Sequence, residues 1–166
     1  SLNAVCCLGV CYQYGIGTAP DAEKAAELYC KAAEYGSPRG QMLLARAFHD
    51  GIGVEADAAE AVHWVRAAAY QRYGEGMYRL GVCYEYGDGV EQNWEHAVHW
   101  FREAAESGVS TAMTDLGYCY EKGCGVEQSW EQAFSWYRRG AECGYPVSMS
   151  NLGLCYKRGY GVEQNW

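Results

Sequence analysis

Nine cysteines and four histidines are the residues of this 166-residue chain best equipped for chemistry, and their spacing decides which chemistry is open to them. Zinc and dithiol sites are built on close cysteine pairs, since two thiolates must reach one metal or one disulfide. No C-x-x-C pair occurs. Cys11, Cys83, Cys119 and Cys155 share one register in which Ala47 also stands. A place that accepts Ala is a small buried apolar site, and a free Cys suits it. Cys6, Cys7, Cys30, Cys124 and Cys143 follow no period. His96 and His99 lie three apart on a predicted helix and could face one metal, but no third ligand accompanies them, and His63 shares the register of His99 at a surface-leaning site. Solvated or packed imidazoles are the expectation, with no metal and no cofactor. Glu91, Glu95, Glu103 and Glu106 read as an exposed helix face. No nucleophile–base pair is legible from spacing, and the Gly-x-Gly turns follow no strand, so they are not phosphate cradles. A non-enzymatic protein is expected.

The elements that carry these residues come from a repeat. Leu8, Leu44, Leu80, Leu116 and Leu152 recur every 36 residues. Gly9, Gly81, Gly117 and Gly153 follow them, with Ala45 as substitute, then Tyr12, Phe48, Tyr84, Tyr120 and Tyr156. Gly15/Gly17, Gly51/Gly53, Gly87/Gly89, Gly123/Gly125 and Gly159/Gly161 come next. Each unit reads as two helices. Apolar sites at unit positions 4, 5, 8, 11 and 12 have helical spacing and predict a first helix over about 4–14. The first glycine of each Gly-x-Gly sits where a left-handed terminating residue belongs. Position 21 is Asp21, Asp57, Asn93, Ser129 and Asn165, all good N-caps for a second helix over about 22–35. Gly36, Gly108 and Gly144 close that helix, and Arg72 is expected to distort its end in the second unit. Ser37-Pro38 reads as an N-cap followed by proline at the first helical position.

Small residues at positions 9, 25, 32 and 33 let helices approach, and large ones at positions 12 and 28 fill the space between pairs. Leu28, Trp64, Trp100 and Trp136 are therefore expected inside. Trp100→Ala should then cost roughly 3–5 kcal/mol, as burial of a large side chain implies. One helix pair cannot bury its own faces, so units must stack. The chain divides into units 1–36, 37–72, 73–108 and 109–144 and a partial unit 145–166, all one array. Neither end carries a polar cap. A fragment of a longer array is expected, or ends covered by a neighbour, with the uncapped ends open to self-association.

Composition agrees with a packed core: 49% of residues are apolar and 20% charged, which excludes wholesale disorder. A net charge of −8 argues against nucleic acid, whose phosphates need a basic surface. No run of 18 apolar residues predicts a membrane span, and no signal peptide is visible.

The strings LGVCYEYGDGVEQNWEHAVHWFREAAESG (80–108) and LGYCYEKGCGVEQSWEQAFSWYRRGAECG (116–144) closely resemble the Sel-one-like repeat, a relative of the tetratricopeptide repeat. The pattern covers the whole chain; Thr18-Ala19-Pro20, Ala45 and Ala47 depart from it. The resemblance implies an all-α, right-handed superhelical α-solenoid of antiparallel helix pairs, and an adaptor that binds a protein or peptide. It also implies a concave surface lined by first-helix positions 3, 6, 7, 10, 13 and 14. In the second unit these are Arg39, Met42, Leu43, Arg46, His49 and Asp50. In the third they are Glu75, Tyr78, Arg79, Val82, Glu85 and Tyr86. In the fourth they are Thr111, Thr114, Asp115, Tyr118, Glu121 and Lys122, and in the fifth Val147, Ser150, Asn151, Leu154, Lys157 and Arg158. Of these, Arg39, Leu43, Arg46, Asp50, Arg79, Tyr86, Asp115, Tyr118, Lys122, Asn151 and Arg158 are the candidate contact residues.

These positions vary between units while the structural ones repeat, as a grafted binding surface would, and equally as solvated positions free to drift would. Arg can grip a carboxylate with two parallel bonds, so the arginines would suit an acidic or C-terminal peptide. In secreted members with one disulfide per unit, the first paired cysteine falls where this chain has Ala33, Ala69, Ala105 and Ala141. That favours a reducing compartment and a bacterial, cytoplasmic setting. Two other functions fit the same residues: a secreted or surface host-contact protein, and a repeat protein that binds and hydrolyses a small-molecule or cell-wall ligand.

Overall fold

The computed structural model describes residues 1–161, and the described residues form helices joined by short turns. The helices are α1 (Leu2–Tyr14), α2 (Ala22–Glu34), α3 (Pro38–Asp50), α4 (Ala58–Tyr70), α5 (Gly74–Tyr86), α6 (Trp94–Glu106), α7 (Ser110–Lys122), α8 (Trp130–Glu142) and α9 (Pro146–Arg158). Odd-numbered helices open a repeat and even-numbered ones close it. Asn165, expected to cap a further second helix, lies outside the described residues.

The punctuation read from the sequence sets the ends. Asp21, Asp57, Asn93 and Ser129 each accept a first-turn backbone N–H, at 2.9 Å from Lys24 in the first case and 2.9 Å from His96 in the third. First helices begin two residues earlier than the apolar pattern alone implies. In the second repeat, Ser37 Oγ accepts the Gly40 N–H at 3.1 Å and Pro38 occupies the first turn. The glycines that end them hold φ between 68° and 73°. Arg72 corrects an expectation. It adopts φ 58°, the left-handed turn that Gly36, Gly108 and Gly144 make, so the second repeat ends like the others, at a conformational cost of about 1–2 kcal/mol.

The chain forms two compact units, Ser1–Gln92 and Asn93–Trp166. In the first, α1 to α5 pack in sequence, and α1 also touches α3. In the second, α6 packs on α7, α7 on α8 and α8 on α9. Side chains reach between successive repeats inside each unit: Arg66 Nη2 donates to Tyr84 Oη at 3.1 Å, and Arg102 Nη2 to Tyr120 Oη at 2.7 Å.

The core corrects the placement of the large residues. Trp64 and Trp100 are half-buried, edge-on to His63 and His99 with ring centroids 5.1 Å apart; of the position-28 residues only Trp136 is buried, and it keeps 8% of its surface exposed. The buried side chain is one residue later, at Tyr29, Val65, Phe101 and Tyr137. The penalty of roughly 3–5 kcal/mol expected for Trp100→Ala belongs to Phe101→Ala instead, because Phe101 is the side chain sealed from water. Leu44, Leu80 and Leu116 are buried, as are Cys83, Cys119 and Cys155 in register with Ala47. Leu8 is 48% exposed.

Position 29 faces position 9, and the two trade volume. A Cβ on Gly9 would lie 2.5 Å from Tyr29 Cε1, and one on Gly117 would lie 2.6 Å from Tyr137 Cε1. Where position 9 is Ala45, position 29 is Val65. A second trade joins successive repeats. Gly40 meets Ala32 and Gly76 meets Ala68, whereas Ser148 is accommodated by Gly140. The tyrosines also fix position 13: Tyr29 Oη donates to Gln13 Oε1 at 2.6 Å, and Tyr137 Oη to Glu121 Oε2 at 2.8 Å. The second repeat has no such hydroxyl, and His49 occupies that place.

Candidate functional site

A groove of about 470 Å³ opens in the first unit, in the size range of sites that take small ligands or short segments. The cap at Ser37 fixes where α3 begins, and helical spacing then puts Arg39, Met42, Leu43, Arg46, His49 and Asp50 on one wall. Tyr73, which precedes α5, and Glu75, Tyr78 and Arg79 in its first turns form the facing wall. The floor is Ala45, Ala61, Val62 and Val65, each itself buried, with Cys83 beside them. Asp88, in the turn after α5, completes the lining.

The groove carries three arginines and three carboxylates, Glu75 among the latter. Among the described residues no carboxylate forms a salt bridge with Arg39, Arg46 or Arg79. Burial pushes the Tyr29 hydroxyl up to about 12 and the Cys83 thiol up to about 11, against the opposing positive field of Arg46 on the first and Arg79 on the second. Glu75 Oε2 accepts from the Tyr73 hydroxyl at 3.5 Å near the start of α5, and Asp50 and Asp88 are engaged by one imidazole at the end of α3. His49 Nδ1 lies 2.6 Å from Asp50 Oδ1 and its Nε2 lies 3.1 Å from Asp88 Oδ2, so one imidazole bridges α3 to the turn after α5.

Of the candidate contact residues, Arg39, Leu43, Arg46, Asp50 and Arg79 are brought together here. Tyr86 is exposed at the end of α5, outside the lining. Asp115, Tyr118 and Lys122 on α7 and Asn151 and Arg158 on α9 belong to the second unit. Lys122 is engaged there: its Nζ lies 2.8 Å from Glu121 Oε1 and 5.8 Å from the centre of the Tyr118 ring. Thr114 corrects the assignment of position 6 in that repeat. It is buried, with its hydroxyl against that of Ser148, because this position points at the next repeat. The floor residues and Asp88 lie outside the first-helix pattern; the signal that could have found them is the joint change at positions 9 and 29. Among the described residues no three His, Cys, Asp or Glu gather as a metal site, and all nine thiols are free.

The repeat geometry has a counterpart among known families. The Sel1 repeat model matches residues 4–37, 38–73, 74–109, 110–145 and 146–165. The chain belongs to the Sel1 repeat family. It is similar to a protective antigen of uropathogenic Escherichia coli with a Sel1-like repeat fold, at 37% identity and TM-score 0.94 over 99% of this chain and 35% of that one. It is also similar to a Sel1 repeat protein of Oxalobacter formigenes, at 33% identity and TM-score 0.91 over 98% of this chain and 67% of that one. Cysteine-rich protein B of Helicobacter pylori shares the fold at 22% identity and TM-score 0.64, over 80% of this chain and 96% of that one. The chain thus spans about a third of the length of the E. coli Sel1 protein. Among curated proteins none matches the sequence. Sel1 repeat proteins are all-α repeat solenoids, generally protein-interaction scaffolds and typically non-catalytic.

Proposed function

We propose that this chain is a non-enzymatic scaffold that binds a protein or peptide through the first helices of its repeats, with the groove between α3 and α5 as its principal seat. One observation carries the reading: three arginines that form no salt bridge among the described residues stand over an apolar floor in a groove large enough for a few residues. Arginine is favoured at binding hot spots because its planar fork meets carboxylates with two parallel bonds at once. The test is a matched pair of affinities. The intact chain and the Arg46→Ala/Arg79→Ala variant are titrated with a partner recovered by affinity capture. At least about a tenfold loss is expected, since charge-assisted hydrogen bonds are worth roughly 1.5–3 kcal/mol each. Equal affinities would sink the reading.

The likeness to a protective antigen of uropathogenic E. coli supports a second reading, a surface or secreted host-contact protein. Antibody against the chain should then label intact cells of the producing organism; labelling only after lysis would refute it.

A further inference from the structure

The groove has a floor because the second repeat breaks the rule kept by the first and fourth. There, position 29 is Tyr29 or Tyr137, and its ring lies against a glycine at position 9. In the second repeat Val65 and Ala45 take those places, and both line the groove. What would be a tyrosine ring is open volume. Part of it is already filled, by the methyl of Ala45 and the two γ-carbons of Val65, so the remainder is smaller than a phenol ring and lined by aliphatic carbon. Beside it stand Arg46 on α3 and Arg79 on α5. Beyond them the His49–Asp88 bridge spans from α3 to the turn after α5, across that end of the groove. A chain running straight through would have to break the bridge, and an acidic group pushed past the arginines would meet Asp50 and Asp88. A chain that ends at the arginines meets neither obstacle.

We propose that this groove takes the C-terminus of a partner polypeptide, with its carboxylate on Arg46 and Arg79 and a branched aliphatic last side chain lowered onto Ala45, Val62 and Val65. The inference rests on the groove being the binding seat and adds the class of ligand it selects. Repeat two is then the specificity-determining repeat, and Val65 its central residue.

The test uses the full chain with methyl-labelled valines and four N-acetylated hexapeptides on one glycine–serine stem. They end in leucine acid, leucine amide, glycine acid and tryptophan acid. Leucine acid should shift the Val62 and Val65 methyl signals. The amide should bind about tenfold more weakly through lost charge-assisted bonds, and glycine acid about tenfold more weakly through lost apolar burial. Tryptophan acid should be weaker still, being too large for the floor. The Ala45→Gly/Val65→Tyr variant installs the pairing of the first and fourth repeats, and should keep its melting temperature while losing leucine acid binding. Equal binding of leucine and glycine acids by the unaltered chain overturns the inference and needs no variant. So does undiminished leucine acid binding by a folded Ala45→Gly/Val65→Tyr chain. Neither result touches the groove as a seat, which stands or falls on the Arg46→Ala/Arg79→Ala comparison. If none of the four peptides moves the Val62 and Val65 signals at millimolar concentration, the ligand class is wrong.

Discussion

Gly117→Ala should destabilise this protein when Tyr137 is present and stabilise it when Tyr137 is replaced by valine. The new Cβ would lie 2.6 Å from Tyr137 Cε1 and 2.7 Å from Cδ1, where carbon pairs prefer about 3.5–4.0 Å. The ring cannot swing aside, because it is buried and its hydroxyl is held by Glu121 at 2.8 Å. Overpacking of this kind costs about 1–3 kcal/mol, and removing glycine from a helix interior returns about 1 kcal/mol. The net for Gly117→Ala alone is a loss of up to about 2 kcal/mol. Tyr137→Val alone should cost roughly 3–5 kcal/mol through the cavity and the lost hydrogen bond. With the ring gone, Gly117→Ala meets no obstacle and gains the helical term of about 1 kcal/mol. The coupling between the two positions is then about 1–3 kcal/mol, within the range for residues in direct contact. Urea unfolding followed by far-ultraviolet circular dichroism on the four members of the cycle measures it. A loss from Gly117→Ala in both backgrounds would refute the volume trade, and with it the account of how the groove floor arises.

The turn glycines should divide by what surrounds them. Gly36→Ala meets open space and should lose about 1–2 kcal/mol, the cost of the left-handed conformation alone. Gly53→Ala drives a methyl into the main chain at Ala22 and should lose clearly more in the same melt. Stability should fall as pH rises from 9 to 12. Cys83 and Tyr29 are held protonated in the fold, with burial raising them to about 11 and about 12 from 9.0 and 10.0, so their contribution is full below pH 9 and lost through the folded values. The urea midpoint should fall between pH 8 and pH 11, and less so in Cys83→Ala/Tyr29→Phe; a flat midpoint would contradict this. Thiol titration should find Cys7 and Cys143 reacting first in the native protein, and all nine cysteines in denaturant.

The helix boundaries were legible because each is written in one or two residues with a local physical effect: Asp57 or Asn93 accepting a bare N–H, Gly51 or Gly87 turning left-handed. The interior was less so. Positions 28 and 29 are adjacent on a helix, both large, and both near the buried arc. Trp recurs at 28 while 29 varies, and recurrence pointed to the wrong one. What distinguishes them is the facing glycine, a contact between helices that a single-helix pattern does not register. The groove divides the same way. Its first-helix wall follows from spacing, so Arg39, Leu43 and Arg46 could be named together. Its floor depends on volume missing from a neighbouring helix, and Val65 gives no sign of that until it is set against Tyr29 and Tyr137. Asp88 required the bridge to His49 across two repeats.

From the second repeat onward the second glycine of the turn reaches the preceding repeat: Gly53 and Gly89 abut the carbonyls of Ala22 and Ala58, and Gly125 and Gly161 those of Trp94 and Trp130. Neighbours are therefore spaced by main chain against main chain, a ruler indifferent to which side chains a repeat carries. A repeat copied, exchanged or rewritten on its outer face would still seat at the same distance. Recognition can then be edited one module at a time, as Val65 and Ala45 illustrate, while the framework keeps its pitch.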